Sequence, residues 1–263
     1  MREASGPVPH ETGELKPLSW YRDLHESKGR RSSGFFLIEG ERAVGFIRDN
    51  RPELLREVLE SENCPFPTPR TTTHRSLTRS QLKSIALTKQ PSGPLGVIAI
   101  PGESYSSTLS TAPGHLIVVL EDIQDPGNVG SLLRTAAALG FSGAILSDKC
   151  ADPFSPKAAQ ASAGSVVSLW IRRSPDYLEM IRDLKGRGFK CVGTAVGGTC
   201  IFPAQAQESV LLVLGNEGNG LTDRMRAVCD DFYGIPLDSH KAESLNVAAA
   251  GAISMFAALQ RNT

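Results

Sequence analysis

The chain has 263 residues, long for one hydrophobic core and sufficient for two domains. Its 28 Lys and Arg balance its 28 Asp and Glu, which excludes a strong global field for nucleic acid and leaves only local basic patches. Its five cysteines contain no C-x-x-C pair, so a zinc knuckle or a disulfide framework is disfavoured and a reducing cytoplasm fits. The longest apolar run, residues 247–259, is too short to cross a bilayer.

Residues 1–16 mix Pro, Gly, Glu and Ser without periodicity and read as a disordered tail. Lys28, Arg30 and Arg31 follow on what reads as a flexible loop, where phosphate contact competes with a plain solvated surface. A strand at 35–38, helices at 39–49, 52–61 and 76–87, and a strand at 95–100 make a small α/β unit. Pro, Gly, Ser and Thr crowd residues 101–113. A boundary near residue 108 therefore separates a domain over 17–108 from one over 109–263.

From residue 116 the pattern alternates, with strands at 116–120, 143–147, 166–171, 189–194 and 211–214. Helices at 129–139, 156–162, 177–187 and from 244 onward intervene, which predicts a parallel sheet covered on both faces. Asn128 stands where it can cap the helix at 129–139, and Gly140 where it stops it. Leu132, Ala136 and Leu139 share one face of that helix. Arg134 lies opposite, so periodicity alone makes it an ordinary exposed arginine.

Two apolar strand ends run into polar loops: 211–214 into Gly215-Asn216-Glu217-Gly218-Asn219-Gly220, and Ile235-Pro236-Leu237 into residues 238–243, then Ser244-Leu245-Asn246. In open α/β sheets, ligands bind beyond the carboxyl ends of strands. The glycine spacing fails the dinucleotide fingerprint, and no Walker A lysine is present. Serine-hydrolase, paired-cysteine and H-E-x-x-H patterns are absent too, so neither a nucleophile nor a metal site emerges. The glycines admit close backbone approach to a ligand. With Leu214, Ile235, Leu237 and Leu245 as apolar lips, the pocket suits a flat heterocycle such as adenine.

Three segments in order resemble the SpoU branch of the SPOUT superfamily, the TrmH-like RNA ribose 2′-O-methyltransferases. They are Asp125-Pro126-Gly127-Asn128-Val129-Gly130-Ser131-Leu132-Leu133-Arg134, Leu214-Gly215-Asn216-Glu217-Gly218-Asn219-Gly220-Leu221 and Ala242-Glu243-Ser244-Leu245-Asn246-Val247-Ala248. The resemblance covers residues 114–260, and Phe35-Phe36-Leu37-Ile38-Glu39-Gly40 is similar, less specifically, to the family's substrate-binding domain. It implies an α/β protein with a parallel-sheet C-terminal domain tied in a deep trefoil knot, a smaller N-terminal α/β domain, and a homodimer with active sites at its interface. S-adenosylmethionine is the implied cofactor and no metal is required. Catalytic or site-shaping roles are implied for Asn128, Arg134, Glu217, Ser244 and Asn246, with Arg134 at the ribose hydroxyl and Glu217 anchoring Asn128 or Arg134. Cofactor contacts are implied for Thr194, Leu214, Gly215, Asn216, Gly218, Ile235, Leu237, Ser244 and Leu245. Because the backbone at Gly215 must approach the ligand closely, Gly215→Val is expected to abolish cofactor binding with the fold largely intact. The implied substrate is RNA, ribosomal ahead of transfer RNA, with Lys28, Arg30 and Arg31 on its phosphates. A catalytically silent RNA-binding protein and a nicotinamide-dependent enzyme are the competing readings.

Overall fold

The computed structural model describes residues 16–61, 66–68, 72–88, 90–91, 93–204, 208–238 and 240–260. The tail expected at 1–16 lies outside the described residues except for Lys16. Two compact units emerge, one of the described residues up to Gly102 with Asp152–Ser168, the other of Glu103–Ala151 with the described residues from Leu169 onward. The division falls at Gly102, where the sequence suggests residue 108, and the return of residues 152–168 to the first unit has no counterpart in the sequence pattern.

The first unit opens with α1 (Leu18–Asp23), α2 (Ser27–Ser33), β1 (Phe35–Glu39), α3 (Glu41–Asn50), β2 (Leu55–Ser61), β3 (Thr73–Leu77), α4 (Arg79–Ile85) and β4 (Leu95–Ala99). Its sheet runs β1-β4-β2-β3, with β4 antiparallel to both neighbours and β3 parallel to β2. The helix expected at 52–61 is instead a 3-10 turn, Pro52–Leu54, followed by β2. Leu55, Val58 and Leu59 have helical spacing, but β4 and β3 flank the segment and take up its backbone groups, and that tertiary pairing overrides local preference. The helix expected at 76–87 starts at Arg79. Thr78 forms a capping box with Gln81, and the residues before it pair as β3.

The basic segment is also corrected: residues 28–33 lie in α2 rather than in a flexible loop. Arg30 is 2% exposed, with Nε and Nη2 donating to the Asp152 carboxylate at 3.0 and 2.5 Å. Its Nη1 donates to the carbonyls of Leu24 at 3.0 Å and His25 at 2.8 Å, just past α1. A guanidinium so occupied has no fork left for phosphate, and Arg30 leaves the set of RNA-contact candidates. Lys28 and Arg31 stay exposed.

The second unit contributes β5 (Leu116–Leu120), α5 (Pro126–Ala138) and β6 (Gly143–Ser147); α6 (Pro156–Ser162) follows in the chain but belongs to the first unit. It continues with β7 (Trp170–Ser174), α7 (Tyr177–Gly186), β8 (Phe189–Thr199), β9 (Ser209–Leu214), α8 (Asp223–Arg226), β10 (Asp231–Tyr233) and α9 (Val247–Gln260). The six strands run β10-β8-β9-β5-β6-β7, and every pair is parallel. Every residue of β5 is buried, as a central strand covered on both faces requires. The strand expected at 166–171 splits into a 3-10 turn, Ser165–Ser168, and β7. The strand expected at 235–237 is displaced to β10, since Pro236 has no N–H for a ladder. α9 packs on α5 and β9, and a Cβ at Gly251 would fall 2.3 Å from Leu132. Among the described residues no helix is long and apolar enough to cross a membrane.

The Arg30–Asp152 pair sets up a direct test. Arg30→Ala takes from the largely enclosed Asp152 carboxylate its guanidinium partner, leaves the Leu24 and His25 carbonyls without that donor, and is expected to cost about 3–5 kcal/mol of unfolding free energy in urea titration. Lys28→Ala and Arg31→Ala, at exposed positions, should stay within about 0.5 kcal/mol. A loss below about 1 kcal/mol for Arg30→Ala would show that the pair does not hold the unit together.

Candidate active site

Strand register determines which loops meet. β5 and β9 pair continuously from Leu116 opposite Val210 to Leu120 opposite Leu214, so both strands leave the sheet at the same level. On the other side of β9 lies β8, where Gly193 stands opposite Val213 and the Thr194 hydroxyl donates to the Val213 carbonyl at 3.0 Å. Segments 121–128 and 215–222 therefore emerge side by side at the carboxyl edge of the sheet.

The loop at 215–220 closes on itself. Asn216 and Gly220 exchange backbone hydrogen bonds at 3.1 and 2.9 Å, and Asn216 Oδ1 accepts from the amides of Gly218 and Asn219 at 3.0 and 3.1 Å. Its Nδ2 donates to the Asp122 carbonyl at 2.9 Å, tying the loop to the neighbouring segment. Of the loop's three glycines only Gly220 has positive φ, at 66°. Gly215 is needed for a different reason: a Cβ there would stand 2.5 Å from the Gly220 carbonyl carbon and 2.7 Å from the Leu221 nitrogen. The expectation that Gly215→Val spares the fold is thus corrected, because the clash is with the loop's own backbone. At Gly218 the nearest atom to a Cβ is Asn216 Oδ1, at 3.6 Å.

The N-terminus of α5 supplies the second component. Asp125 is the helix cap, accepting from the Asn128 amide at 3.0 Å, so Asn128 is not the cap the sequence suggests and its side chain is free for other work. Asn128 Nδ2 donates to Glu217 Oε1 at 2.8 Å, which leaves its Oδ1 as the acceptor for Asn246 Nδ2 at 3.4 Å. Asn246 Oδ1 in turn accepts from the Ala248 amide at 2.8 Å, at the start of α9. Three segments far apart in sequence thus converge on a directional chain, Asn246 to Asn128 to Glu217. Arg134 does not join it. Six residues beyond Asn128, it lies about 9 Å along the helix and about 120° round it, exposed and without an ion-pair partner among the described residues. Ser244 is exposed and makes no hydrogen bond among the described residues, while Ile235, Leu237 and Leu245 are half-exposed.

Two residues of this edge escaped the sequence reading. Glu121 is fully buried, and its carboxylate accepts from the Tyr177 hydroxyl at 2.7 Å, the Thr222 amide at 2.9 Å and the Thr222 hydroxyl at 2.7 Å. Burial, and then the hydrogen bond to Glu121, push the Tyr177 phenol well above its ordinary range. Asp122 is a non-glycine residue at φ 57°, held there by two hydrogen bonds with Ser147 Oγ at 2.9 and 2.7 Å. The available signal was an acidic pair directly after five apolar strand residues. Among the described residues no group of three or more His, Cys, Asp or Glu is placed to hold a metal ion.

The two glycines make separate demands on the loop. Gly215→Ala should destabilise by about 1–3 kcal/mol, as overpacking against fixed backbone does, whereas Gly218→Ala should stay within about 0.5 kcal/mol. Equal stability of the two variants in urea titration would rule out self-closure as the reason for Gly215.

Residues 115–256 match the SpoU rRNA Methylase family. The 23S rRNA (guanosine(2553)-2′-O)-methyltransferase RlmP of Bacillus subtilis is 31% identical over 251 residues, covering 94% of this chain and 97% of that protein. Among solved structures, a TrmH-family protein of Porphyromonas gingivalis superposes with a TM-score of 0.81 at 29% identity, over 95% of this chain and 100% of that one. The SpoU methyltransferase AviRb of Streptomyces viridochromogenes, determined with AdoMet, gives a TM-score of 0.79 at 25% identity, over 93% and 97%. A family match over more than half of the chain, joined to relatives that span nearly all of it, establishes that this chain belongs to the SpoU, or TrmH-like, family of RNA methyltransferases.

Proposed function

We propose that the chain transfers a methyl group from S-adenosylmethionine to a ribose 2′ hydroxyl in RNA, that the RNA is ribosomal, and that it does so in the cytoplasm as a homodimer whose C-terminal domain carries the family's trefoil knot. The observation that carries this reading is the Asn246–Asn128–Glu217 chain at the carboxyl edge of a parallel sheet. Ribosomal RNA is preferred to transfer RNA because the full-length relative RlmP is a 23S rRNA methyltransferase. The first unit, with Lys28 and Arg31 exposed on α2, is the proposed RNA-holding domain.

The edge of the sheet suits the cofactor. Half-exposed Ile235, Leu237 and Leu245 offer apolar surface to an adenine, and backbone groups of Leu214, Gly215, Asn216, Gly218 and Thr194 border the same strand ends. Ser244 would complete this wall from the segment before α9. When bound, S-adenosylmethionine supplies an electrophilic methyl group on a sulfonium. The protein's own task is to orient the ribose hydroxyl toward that methyl and to receive or relay its proton. Asn128 is suited to hold the ribose or its phosphate, because Glu217 and Asn246 fix which way its amide points. Glu217 acts here as an anchor rather than as the base.

Arg134 is assigned to the hydroxyl and the neighbouring phosphate as a planar cation, since a guanidinium keeps its proton; it stabilises the developing negative charge on the 2′ oxygen while the hydroxyl proton leaves to solvent water. Its distance from the Asn128 cluster within one copy is resolved if it serves the site of a second copy. Support comes from α9, which packs on α5 and leaves Ile253 at 42% and Phe256 at 54% exposure, three residues apart on one face.

Arg134→Ala should cost less than about 0.5 kcal/mol of stability yet slow single-turnover methylation by about 10²- to 10⁴-fold. Mixing inactive Arg134→Ala with inactive Asn128→Ala should restore up to about a quarter of wild-type activity, because half the random dimers contain one intact composite site. A rate within threefold of wild type for Arg134→Ala would defeat the catalytic role, and no recovery on mixing would defeat the shared site.

A further inference from the structure

We infer that Glu121 is a positioning residue, which grips both feet of the loop carrying Glu217 and thereby sets the Glu217–Asn128 contact. The inference rests on the proposed role of that contact in methyl transfer. The Glu121 amide donates to the Leu214 carbonyl at 2.9 Å, immediately before the loop. Its carboxylate accepts the Thr222 amide on Oε2 at 2.9 Å and the Thr222 hydroxyl on Oε1 at 2.7 Å, immediately after it. One residue therefore closes a span of seven residues, 215–221, at both ends. The next residue, Asp122, holds the middle through Asn216.

The chemistry of the carboxylate explains why Glu stands there. No cation approaches it among the described residues, and its charge is met by three donors, the third being the Tyr177 hydroxyl on Oε1. Two of those donors are hydroxyls, which can turn and accept instead. The third is the Thr222 N–H, which can only donate. Glutamine can therefore replace Glu121 with its carbonyl on the Thr222 amide and its NH2 facing the two hydroxyls. Alanine takes from the Thr222 amide and from both hydroxyls the acceptor they share, and leaves the Thr222 hydroxyl only its bond from the Met225 amide at 3.2 Å. Tyr177 donates to the same carboxylate and makes no hydrogen bond to the loop among the described residues, so its loss separates a general effect on the carboxylate from a loss of grip on the loop. Thr222→Val gives a second probe, removing one of the two bonds at the loop's distal foot together with the hydroxyl's cap on the Met225 amide of α8, so its effect on the loop is read over residues 215–221, upstream of that cap.

The test couples hydrogen exchange with methylation kinetics on the full-length protein. In Glu121→Ala, amides over residues 215–222 should exchange at least about tenfold faster than in wild type, while Glu121→Gln and Tyr177→Phe stay within about threefold. Single-turnover methylation should fall by about 10- to 100-fold in Glu121→Ala, recover in Glu121→Gln, and fall no further in Glu121→Ala/Glu217→Ala than in Glu217→Ala alone. Losses that multiply in the double variant would mean that Glu121 acts only on stability and would overturn the inference. So would unchanged loop exchange in Glu121→Ala. Should that variant fail to fold, Thr222→Val decides: faster exchange over 215–221 supports the grip, and wild-type exchange there overturns it. A wild-type protein that transfers no methyl while the exchange pattern holds would count against the functional reading alone, leaving the grip on the loop intact.

Discussion

The in-register parallel pairing of β5 with β9 is the constraint on which the candidate site depends. Parallel strands that end at the same level deliver their following segments to the same edge, so residues separated by about a third of the chain are forced together without any contact having to find them. Asn128, after β5, and Glu217, after β9, are placed by this register before either side chain makes a bond. The ladder runs from Leu116 opposite Val210 to Leu120 opposite Leu214 without a bulge, and a slip of one residue would turn every side chain to the opposite face.

On that base the polar groups are arranged by donor and acceptor logic rather than by charge pairing. Asp125 takes over the helix cap, which releases Asn128. A carboxylate can only accept, so Glu217 obliges Asn128 to present its NH2, and the remaining oxygen then selects the NH2 of Asn246. Asn246 can comply because its own oxygen is taken up at the start of α9. Orientation is thereby passed along three amide and carboxylate groups. The buried cation in the first unit, Arg30, has a different job: it joins the segment after α1 to Asp152, far along the chain.

Much of the second unit was legible in the sequence, because its central strands are apolar runs and α5 and α7 are followed by Gly140 and Gly188, both at positive φ. The first unit was less so. β2 carries helical spacing of leucine and valine, and only its neighbours in the sheet make it a strand. Lys28, Arg30 and Arg31 look alike in sequence, yet Arg30 points inward to a partner 122 residues away, which no local pattern announces. In the site, Asn128, Glu217 and Asn246 were found by motif resemblance and meet in space. Gly215 was also found, but for another reason: a side chain there would strike the loop's own backbone. Glu121 was passed over as part of an acidic turn, since burial of a carboxylate at a strand end depends on Tyr177 and Thr222, which the sequence leaves distant.

The most direct measurement is methyl transfer by the purified protein from labelled S-adenosylmethionine to unmodified 23S ribosomal RNA, followed by mapping of the label to the nucleotide. Label on a ribose 2′ oxygen at a defined nucleotide, resistant to alkaline cleavage and missing with Asn128→Ala, is the expected result. Label on a base, or no transfer to ribosomal RNA alongside efficient transfer to transfer RNA, would be incompatible with a ribosomal ribose methyltransferase.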